Sequence, residues 1–183
     1  MRSITDLPII QSAGLVMILA VVLIPTCFIL YIYLIEKGKQ FRLRRMEKSL
    51  EINPYNVQAY IELARDNIFT RPEPYDSEKA LDYLNKAIEI EPENIEAINL
   101  RALHLGSNLK RHKDAIKDLT RILEIDEYNT DIINLRANYY YFGLHDIEKA
   151  VDDINLLLQI NPNDEDAKNF QRLIRFDINS NTN

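Results

Sequence analysis

The sequence has few of the residues that build reactive or metal-binding sites. It contains one cysteine, Cys27, three histidines, four glycines and no tryptophan in 183 residues. One cysteine excludes a framework of intrachain disulfides, and the histidines lack the cysteine or i, i+4 histidine partners typical of zinc sites. The scattered glycines form no phosphate-binding loop. The sequence therefore predicts no catalytic site, cofactor, metal ion or small-molecule substrate.

Charge is absent from most of the amino-terminal segment. Residues 7–35 hold no charged side chain. As a helix this run is about 43 Å long at ~1.5 Å per residue, which exceeds the ~30 Å hydrocarbon layer of a bilayer. The run is too long for a cleaved signal peptide, and only Arg2 precedes it with positive charge. We therefore predict a transmembrane helix at about residues 8–35, within an amino-terminal segment 1–36.

Basic residues follow this run directly, and acidic residues dominate after them. Residues 37–48 hold six Lys or Arg and one Glu, a balance of +5, whereas residues 49–183 hold 15 basic and 25 acidic residues, a balance of −10. The basic segment predicts contact with a membrane surface, and the acidic remainder argues against nucleic-acid binding. Positive flanks tend to stay cytoplasmic. We expect residues 49–183 in the cytoplasm, with a periplasmic location as the alternative.

The sequence repeats itself in the acidic part of the chain. Residues 98–102 and 133–137 both read Ile-Asn-Leu-Arg-Ala, 35 residues apart, and the same step separates Ala115 from Ala150. Asn-Pro or Glu-Pro closes a segment at residues 53–54, 91–92 and 161–162. These features resemble the tetratricopeptide repeat, a helix–turn–helix unit of about 34 residues.

The resemblance implies an all-α fold, a short right-handed α-solenoid of three hairpins with a capping helix at each side, preceded by the transmembrane helix. It also implies that small residues such as Ala102 and Ala115 stand where two helices cross. The predicted segments are a basic leading helix or half repeat at 37–56, repeats at 57–94, 95–129 and 130–164, and a capping helix with a disordered tail at 165–183. The predicted helices are 57–69, 77–90, 95–109, 113–125, 130–142, 147–160 and 165–176.

An arginine and an aspartate recur together in the second and third repeats. The first repeat has Leu63 and Tyr83 at the equivalent positions, so both charges are missing there. Because the two residue types appear and disappear together, we predict a contact that closes each hairpin, with the guanidinium fork on the carboxylate. The predicted structural pairs are Arg101–Asp118 and Arg136–Asp153.

The resemblance places the partner-binding surface on the concave face, which the first helices line. Relatives that hold a peptide carboxylate there use lysines and arginines, but no first helix here contains lysine and Arg65 is the only basic residue at a groove position. We expect a polar groove in which asparagine side chains pair with an extended segment; simple solvent exposure is the alternative. The predicted groove residues are Gln58, Ile61, Arg65, Glu96, Asn99, Leu103, Asp131, Asn134, Asn138 and Tyr141.

These features together predict a membrane-anchored module that binds a protein partner and is not an enzyme. The alternative is a structural assembly subunit of a larger membrane complex, in which the groove has no binding role. Substitutions in the groove distinguish the two, because they impair only the first.

Overall fold

Every element in the described part of the structure is a helix. The structure, a computed structural model, describes residues 9–69 and 77–181, with side chains described over residues 26–69 and 77–180. No β-strand occurs within these residues, and the predicted all-α fold is confirmed. The α-helices are α1 (Ile9–Ile52), α2 (Val57–Phe69), α3 (Ser77–Ile90), α4 (Ile95–Leu103), α5 (His112–Ile125), α6 (Thr130–Asn138), α7 (Ile147–Ile160) and α8 (Glu165–Asn181).

The chain divides into two compact units, residues 1–48 and 49–183. In the first unit, α1 exposes eight consecutive large apolar or aromatic side chains at residues 28–35. Among the described residues, no helix combines the length and the apolar content needed to cross a membrane. The predicted span at about residues 8–35 lies largely outside what is described, because residue 8 and the side chains up to residue 25 are not included.

In the second unit, asparagine side chains fix where the first helices begin. The Oδ1 of Asn94 accepts a hydrogen bond from the N–H of Ala97 at 3.0 Å, and the Oδ1 of Asn129 accepts one from the N–H of Ile132 at 3.2 Å. Each cap satisfies one of the N–H groups that a helix start leaves without a partner. The two caps lie 35 residues apart, so they set the period of the repeat.

Alanines occupy the points where the helices of each hairpin cross. Helix α2 packs on α3, α4 on α5 and α6 on α7. The alanines at these crossings have no solvent exposure, and a larger side chain would cost about 1–3 kcal/mol through overpacking. They are Ala64, Ala80, Ala102, Ala115, Ala137 and Ala150.

A π-helical turn follows the α-helical part of two first helices. It covers His104–Asn108 after α4 and Tyr139–Leu144 after α6, where one continuous α-helix was predicted. The N–H of Leu109 donates to the carbonyl of His104, five residues earlier, at 3.1 Å. A π turn holds one residue more than an α-helical turn. This extra residue accounts for a 35-residue step in a fold whose usual unit is about 34 residues.

Two glycines let the π turns of neighbouring hairpins pack closely. A Cβ on Gly106 would overlap the ring of Tyr139, and a Cβ on Gly143 would overlap the ring of His112. The rings of His112 and Tyr139 lie 5.5 Å apart. The sequence placed His112 in a turn, but it begins α5. Its ring is therefore part of the packing between the second and third hairpins.

Helix α8 is longer than the sequence predicted. The prediction ended the helix at residue 176 and assigned a disordered tail, whereas α8 continues to Asn181. Asp177 accepts a hydrogen bond from the hydroxyl of Tyr141, and the ring of Phe170 lies 5.5 Å from that of Tyr141. These contacts join the end of α8 to the third hairpin and extend the ordered helix.

Candidate functional site

The structure brings together both arginine–aspartate pairs. The Nε and Nη2 atoms of Arg101 donate to the two carboxylate oxygens of Asp118 at 2.7 and 2.6 Å. Arg136 donates to Asp153 in the same two-point manner, at 2.9 and 2.6 Å. Both aspartates are buried. Each pair therefore joins the first and second helices of one hairpin with a geometry that lysine could not reproduce.

Each arginine also reaches the preceding hairpin. The Nη1 of Arg101 donates to the Oδ1 of Asn85 on α3 at 2.8 Å, and the Nη1 of Arg136 donates to the hydroxyl of Thr120 on α5 at 3.2 Å. Burial lowers the pKa of Arg136, but its hydrogen bond to Asp153 and the charge of that carboxylate outweigh burial and raise the pKa overall. The guanidinium stays charged and ties three helices together.

The first hairpin has no ion pair at the equivalent positions. Leu63 is buried, and the ring of Tyr83 lies 6.2 Å from that of Tyr60. The ammonium of Lys79 lies 5.6 Å from the centre of the Tyr83 ring. An apolar contact with an aromatic ring thus stands where the later hairpins have an ion pair.

Most of the predicted groove residues lie at the protein surface. Exposed side chains include Gln58 on α2, Glu96 on α4, and Asp131 and Asn134 on α6, whereas other members of the set are partly buried. The first helices are therefore polar on this side. The partly buried members are Arg65, Asn99, Leu103 and Asn138.

Two residues assigned to the groove from the sequence do not face it. Ile61 has no solvent exposure and belongs to the main hydrophobic core. Tyr141 is buried and packs against the ring of Phe170, while the neighbouring Tyr140 is half-buried. One extra residue in the π turn rotates the side chains that follow it by about 100° relative to a regular α-helix. The tyrosine assignment was wrong for this reason.

Arg65 does not present an open cation to a ligand. Its Nη1 donates to the carboxylate of Glu62 at 2.8 Å, and its Nη2 donates to that of Glu96 at 2.6 Å. The second contact runs from α2 to α4. Arg65 is therefore not open to the carboxylate of a ligand, because two carboxylates of the chain already surround it.

The asparagines on α6 arrange their amides in a defined way. The Nδ2 of Asn138 donates to the main-chain carbonyl of Asn134 at 2.8 Å and to its side-chain Oδ1 at 3.3 Å. The Oδ1 of Asn138 and the Nδ2 of Asn134 have no partner among the described residues. On α4, the Oδ1 of Asn99 is buried and has no partner there either. An acceptor and a donor are thus available side by side on α6.

Metal-binding chemistry has little support in the described residues. No group of three His, Cys, Asp or Glu side chains suited to a metal ion occurs among them. The Nε2 of His104 lies 3.1 Å from the main-chain carbonyl of Ser77, and His145 has a left-handed backbone conformation in a turn. These two histidines connect or end structural elements.

Comparisons with known proteins identify the fold. Residues 76–94 match the family model of the tetratricopeptide repeat, and no curated protein matches the chain. A structure of the first TPR of Spaghetti (RPAP3) bound to an HSP90 peptide is 22% identical, with a TM-score of 0.55, over 67% of this chain and 92% of that chain. The chain has the tetratricopeptide-repeat fold.

Two further solved structures share this tetratricopeptide-repeat fold. YrrB, a TPR protein with an unusual peptide-binding site, is 19% identical with a TM-score of 0.60, over 76% of this chain and 69% of that chain. A thermophilic TPR protein of Thermus thermophilus is 18% identical with a TM-score of 0.56, over 73% of this chain and 71% of that chain. At these identities the likeness establishes the fold.

Sequence reasoning missed the extent of the repeat register on α8. The 35-residue step that relates Arg101 to Arg136 leads next to Gln171, and the step that relates Asn99 to Asn134 leads to Asn169. The signal was present in the sequence, but α8 was interpreted only as a cap.

Proposed function

We propose that this chain is a membrane-anchored adaptor that binds an extended segment of a partner protein on the concave face of its tetratricopeptide repeats. The observation that carries the proposal is the arrangement on α6, where hydrogen bonds from the Nδ2 of Asn138 to Asn134 hold the two side-chain amides next to each other. An extended chain offers N–H and C=O groups that match such a pair. The adaptor acts by binding and has no catalytic role.

Peptide binding by structural relatives supports this role. The Spaghetti repeat is bound to a peptide of HSP90 in its solved structure, and YrrB is described as having a peptide-binding site. The groove chemistry here differs from a carboxylate-binding groove, because the first helices of the three hairpins lack lysine and Arg65 is held by Glu62 and Glu96. A polar segment with positive charge suits this groove better than a terminal carboxylate.

The proposed anchor is the apolar run at about residues 8–35, with the basic residues 37–48 at the membrane surface. An anchor raises the local concentration of a partner held at the same membrane. This compensates for polar contacts that each contribute only about 0.5–1.5 kcal/mol. We place the repeats on the cytoplasmic side because six basic residues follow the run and one precedes it. A protease added to intact cells tests this location. Digestion of the repeats there would place them on the outer side of the membrane.

The test of the adaptor role is a crosslinking pull-down from native membranes with Asn134→Ala combined with Asn138→Ala. Losing two hydrogen bonds removes about 1–3 kcal/mol, so we expect capture of the partner to weaken at least fivefold. The control combines Asp152→Ala with Gln159→Ala, two exposed positions on α7. Unchanged melting of both variants excludes misfolding. If the groove variant keeps every partner, the chain is instead a structural assembly subunit.

A further inference from the structure

Helix α8 repeats the contacts of the first helices. Arg101 bonds Asn85, Arg136 bonds Thr120, and the Nε2 of Gln171 donates to the Oδ1 of Asn155 at 3.3 Å. Each donor lies 16 residues after its acceptor, and each pair lies 35 residues after the one before. These repeated contacts show that α8 sits on α7 as α6 sits on α5. They are Asn85–Arg101, Thr120–Arg136 and Asn155–Gln171.

The start of α8 follows the same register. The Oδ1 of Asp164 accepts from the N–H of Ala167 at 3.0 Å, 35 residues after the equivalent cap of Asn129. By this register Asn169 takes the place of Asn134, and Leu173 takes the place of Asn138. Both side chains on α8 are exposed. Helix α8 is therefore a fourth first helix that continues the groove surface.

Helix α2 does not offer the equivalent surface. Ile61 stands where α4 and α6 have asparagine, and it is fully buried. Arg65, at the position of Leu103, is tied to Glu62 and to Glu96. The open part of the groove therefore begins at α4 and not at α2.

An open pocket lies between the third hairpin and α8. Its volume of about 460 Å³ falls in the range of about 300–1,000 Å³ that is usual for ligand pockets. Phe142 and Leu173 are 60% and 42% exposed, while the hydroxyl of Tyr141 is already bonded to Asp177. The remaining surface of the pocket is mostly apolar. Its lining consists of Tyr141, Phe142, His145, Ile147, Leu173 and Asp177.

We infer that the partner segment lies across α4, α6 and α8 and that an aromatic or large aliphatic side chain of the segment fills this pocket. The inference rests on the proposed function and specifies where the site is and what it selects. The exposed asparagines Asn134 on α6 and Asn169 on α8 meet the main chain of the segment, and the pocket holds one apolar side chain as an anchor.

The charge of the groove indicates basic residues in the segment. Asp131 and Asp166 are exposed, lie 35 residues apart, and have no side-chain partner among the described residues. Carboxylates at a binding surface select a partner of opposite charge. The segment therefore carries basic residues that meet these two carboxylates, with its apolar anchor at the end that lies over α8.

The experiment selects nine-residue peptides from a random displayed library on the full chain in nanodiscs. We expect the selected peptides to share two basic residues and one aromatic or large aliphatic residue. Synthetic copies of the selected peptides should bind the Leu173→Asn and Asn169→Ala variants at least tenfold more weakly than they bind the parent protein. They should bind Gln58→Ala and Arg175→Ala with unchanged affinity. All four positions are exposed, and unchanged melting checks that each variant folds.

The possible failures separate this inference from the proposed function. Peptides that bind the α8 variants normally but lose affinity for Gln58→Ala would overturn the α8 site and leave the adaptor role standing. Selection of no peptide would contradict both. If the chain self-associates in nanodiscs and Leu173→Asn abolishes this, a second copy fills the pocket and the inference fails.

Discussion

The first and third hairpins have the same backbone plan but close it with different chemistry. In the third hairpin Arg136 and Asp153 form a buried, two-point ion pair. In the first hairpin Leu63 and Tyr83 stand at those positions and make apolar and aromatic contacts. The helix crossing therefore needs a well-packed pair whose polar groups are all satisfied, and either apolar or ionic groups meet this need.

The same two hairpins also differ in the surface that they offer to a partner. Helix α2 buries Ile61 and commits Arg65 to Glu96 of α4. Helix α6 exposes Asn134 and holds Asn138 against it. The first hairpin therefore offers less open polar surface on its first helix than the third hairpin does.

Breaking the ion pair of the third hairpin has the largest expected effect. In Asp153→Ala the half-buried guanidinium of Arg136 loses its buried carboxylate partner, so we expect the free energy of unfolding to fall by up to about 3–5 kcal/mol. The double variant Arg136→Leu, Asp153→Tyr copies the first hairpin. We expect it to recover most of the loss, because an apolar pair can replace a buried ion pair at little net change. Urea unfolding followed by circular dichroism measures both variants.

The matched control for this pair is Asp152→Ala, which removes an exposed carboxylate from the neighbouring position. Its free energy of unfolding should stay within about 0.5 kcal/mol of that of the parent. A double variant as unstable as Asp153→Ala would show that the two kinds of closure are not equivalent.

A methyl group in the π turn has a smaller expected effect. Ile68 occupies this register in the first hairpin, but in the second hairpin the ring of Tyr139 leaves room only for Gly106. We expect Gly106→Ala to lower the free energy of unfolding by about 1–3 kcal/mol through overpacking. Gly38→Ala is the control, since a Cβ there meets nothing within 4 Å. An unchanged free energy of unfolding in Gly106→Ala would contradict the close packing of the two turns.

The smallest expected effect concerns surface ion pairs that reverse direction between hairpins. The second hairpin begins with Arg111–Asp114 and the third with Asp146–Lys149. Hydrogen bonds from Arg111 and then Lys117 hold the pKa of Asp114 below its usual value of 3.8. Because the folded pKa is the lower one, these pairs stabilise the protein above the unfolded pKa. This stabilisation is lost as pH falls through the folded pKa.

Solvent screens Asp114, so this contribution is worth less than about 1 kcal/mol. Carbon-13 NMR titration of the Asp114 carboxyl measures its pKa directly. We expect the pKa to rise toward its usual value in Arg111→Ala and to stay low in Lys113→Ala, which changes an exposed neighbour. If the pKa of the Asp114 carboxyl in the parent protein has its usual value, these pairs do not form in solution.

The 35-residue step was sufficient to predict most of the helices, because alanine crossings and turn residues recur in register. The direction in which a side chain points was harder to predict where the local geometry departs from a regular α-helix. The π turn after α6 buries Tyr141 and leaves Tyr140 half-buried, and no residue in the turn signals this alone. The sequence did not reveal that Arg65 is paired, because its partner Glu96 lies 31 residues away along the chain. Over such a separation the sequence does not indicate which side chains meet.

Helix α8 shows what longer use of the same step would have predicted. Extending it from Arg136 to Gln171 and from Asn134 to Asn169 identifies a fourth first helix before any coordinates are known. The hydrogen bond between Asp177 and Tyr141 was not predictable, because it depends on the π turn. The positions of equivalent residues can be extrapolated from the repeat. Local departures from regular helix geometry cannot be extrapolated in this way.

The proposed adaptor role requires the first helices to present their concave side to a partner protein. We would test this requirement by site-specific photocrosslinking in native membranes, with a photoreactive residue at position 134 on α6 and, in a second protein, at position 159 on α7. We expect a crosslinked partner from position 134 and none from position 159. Crosslinks from position 159 alone would place the binding surface on the second helices and contradict the proposed role of the first helices.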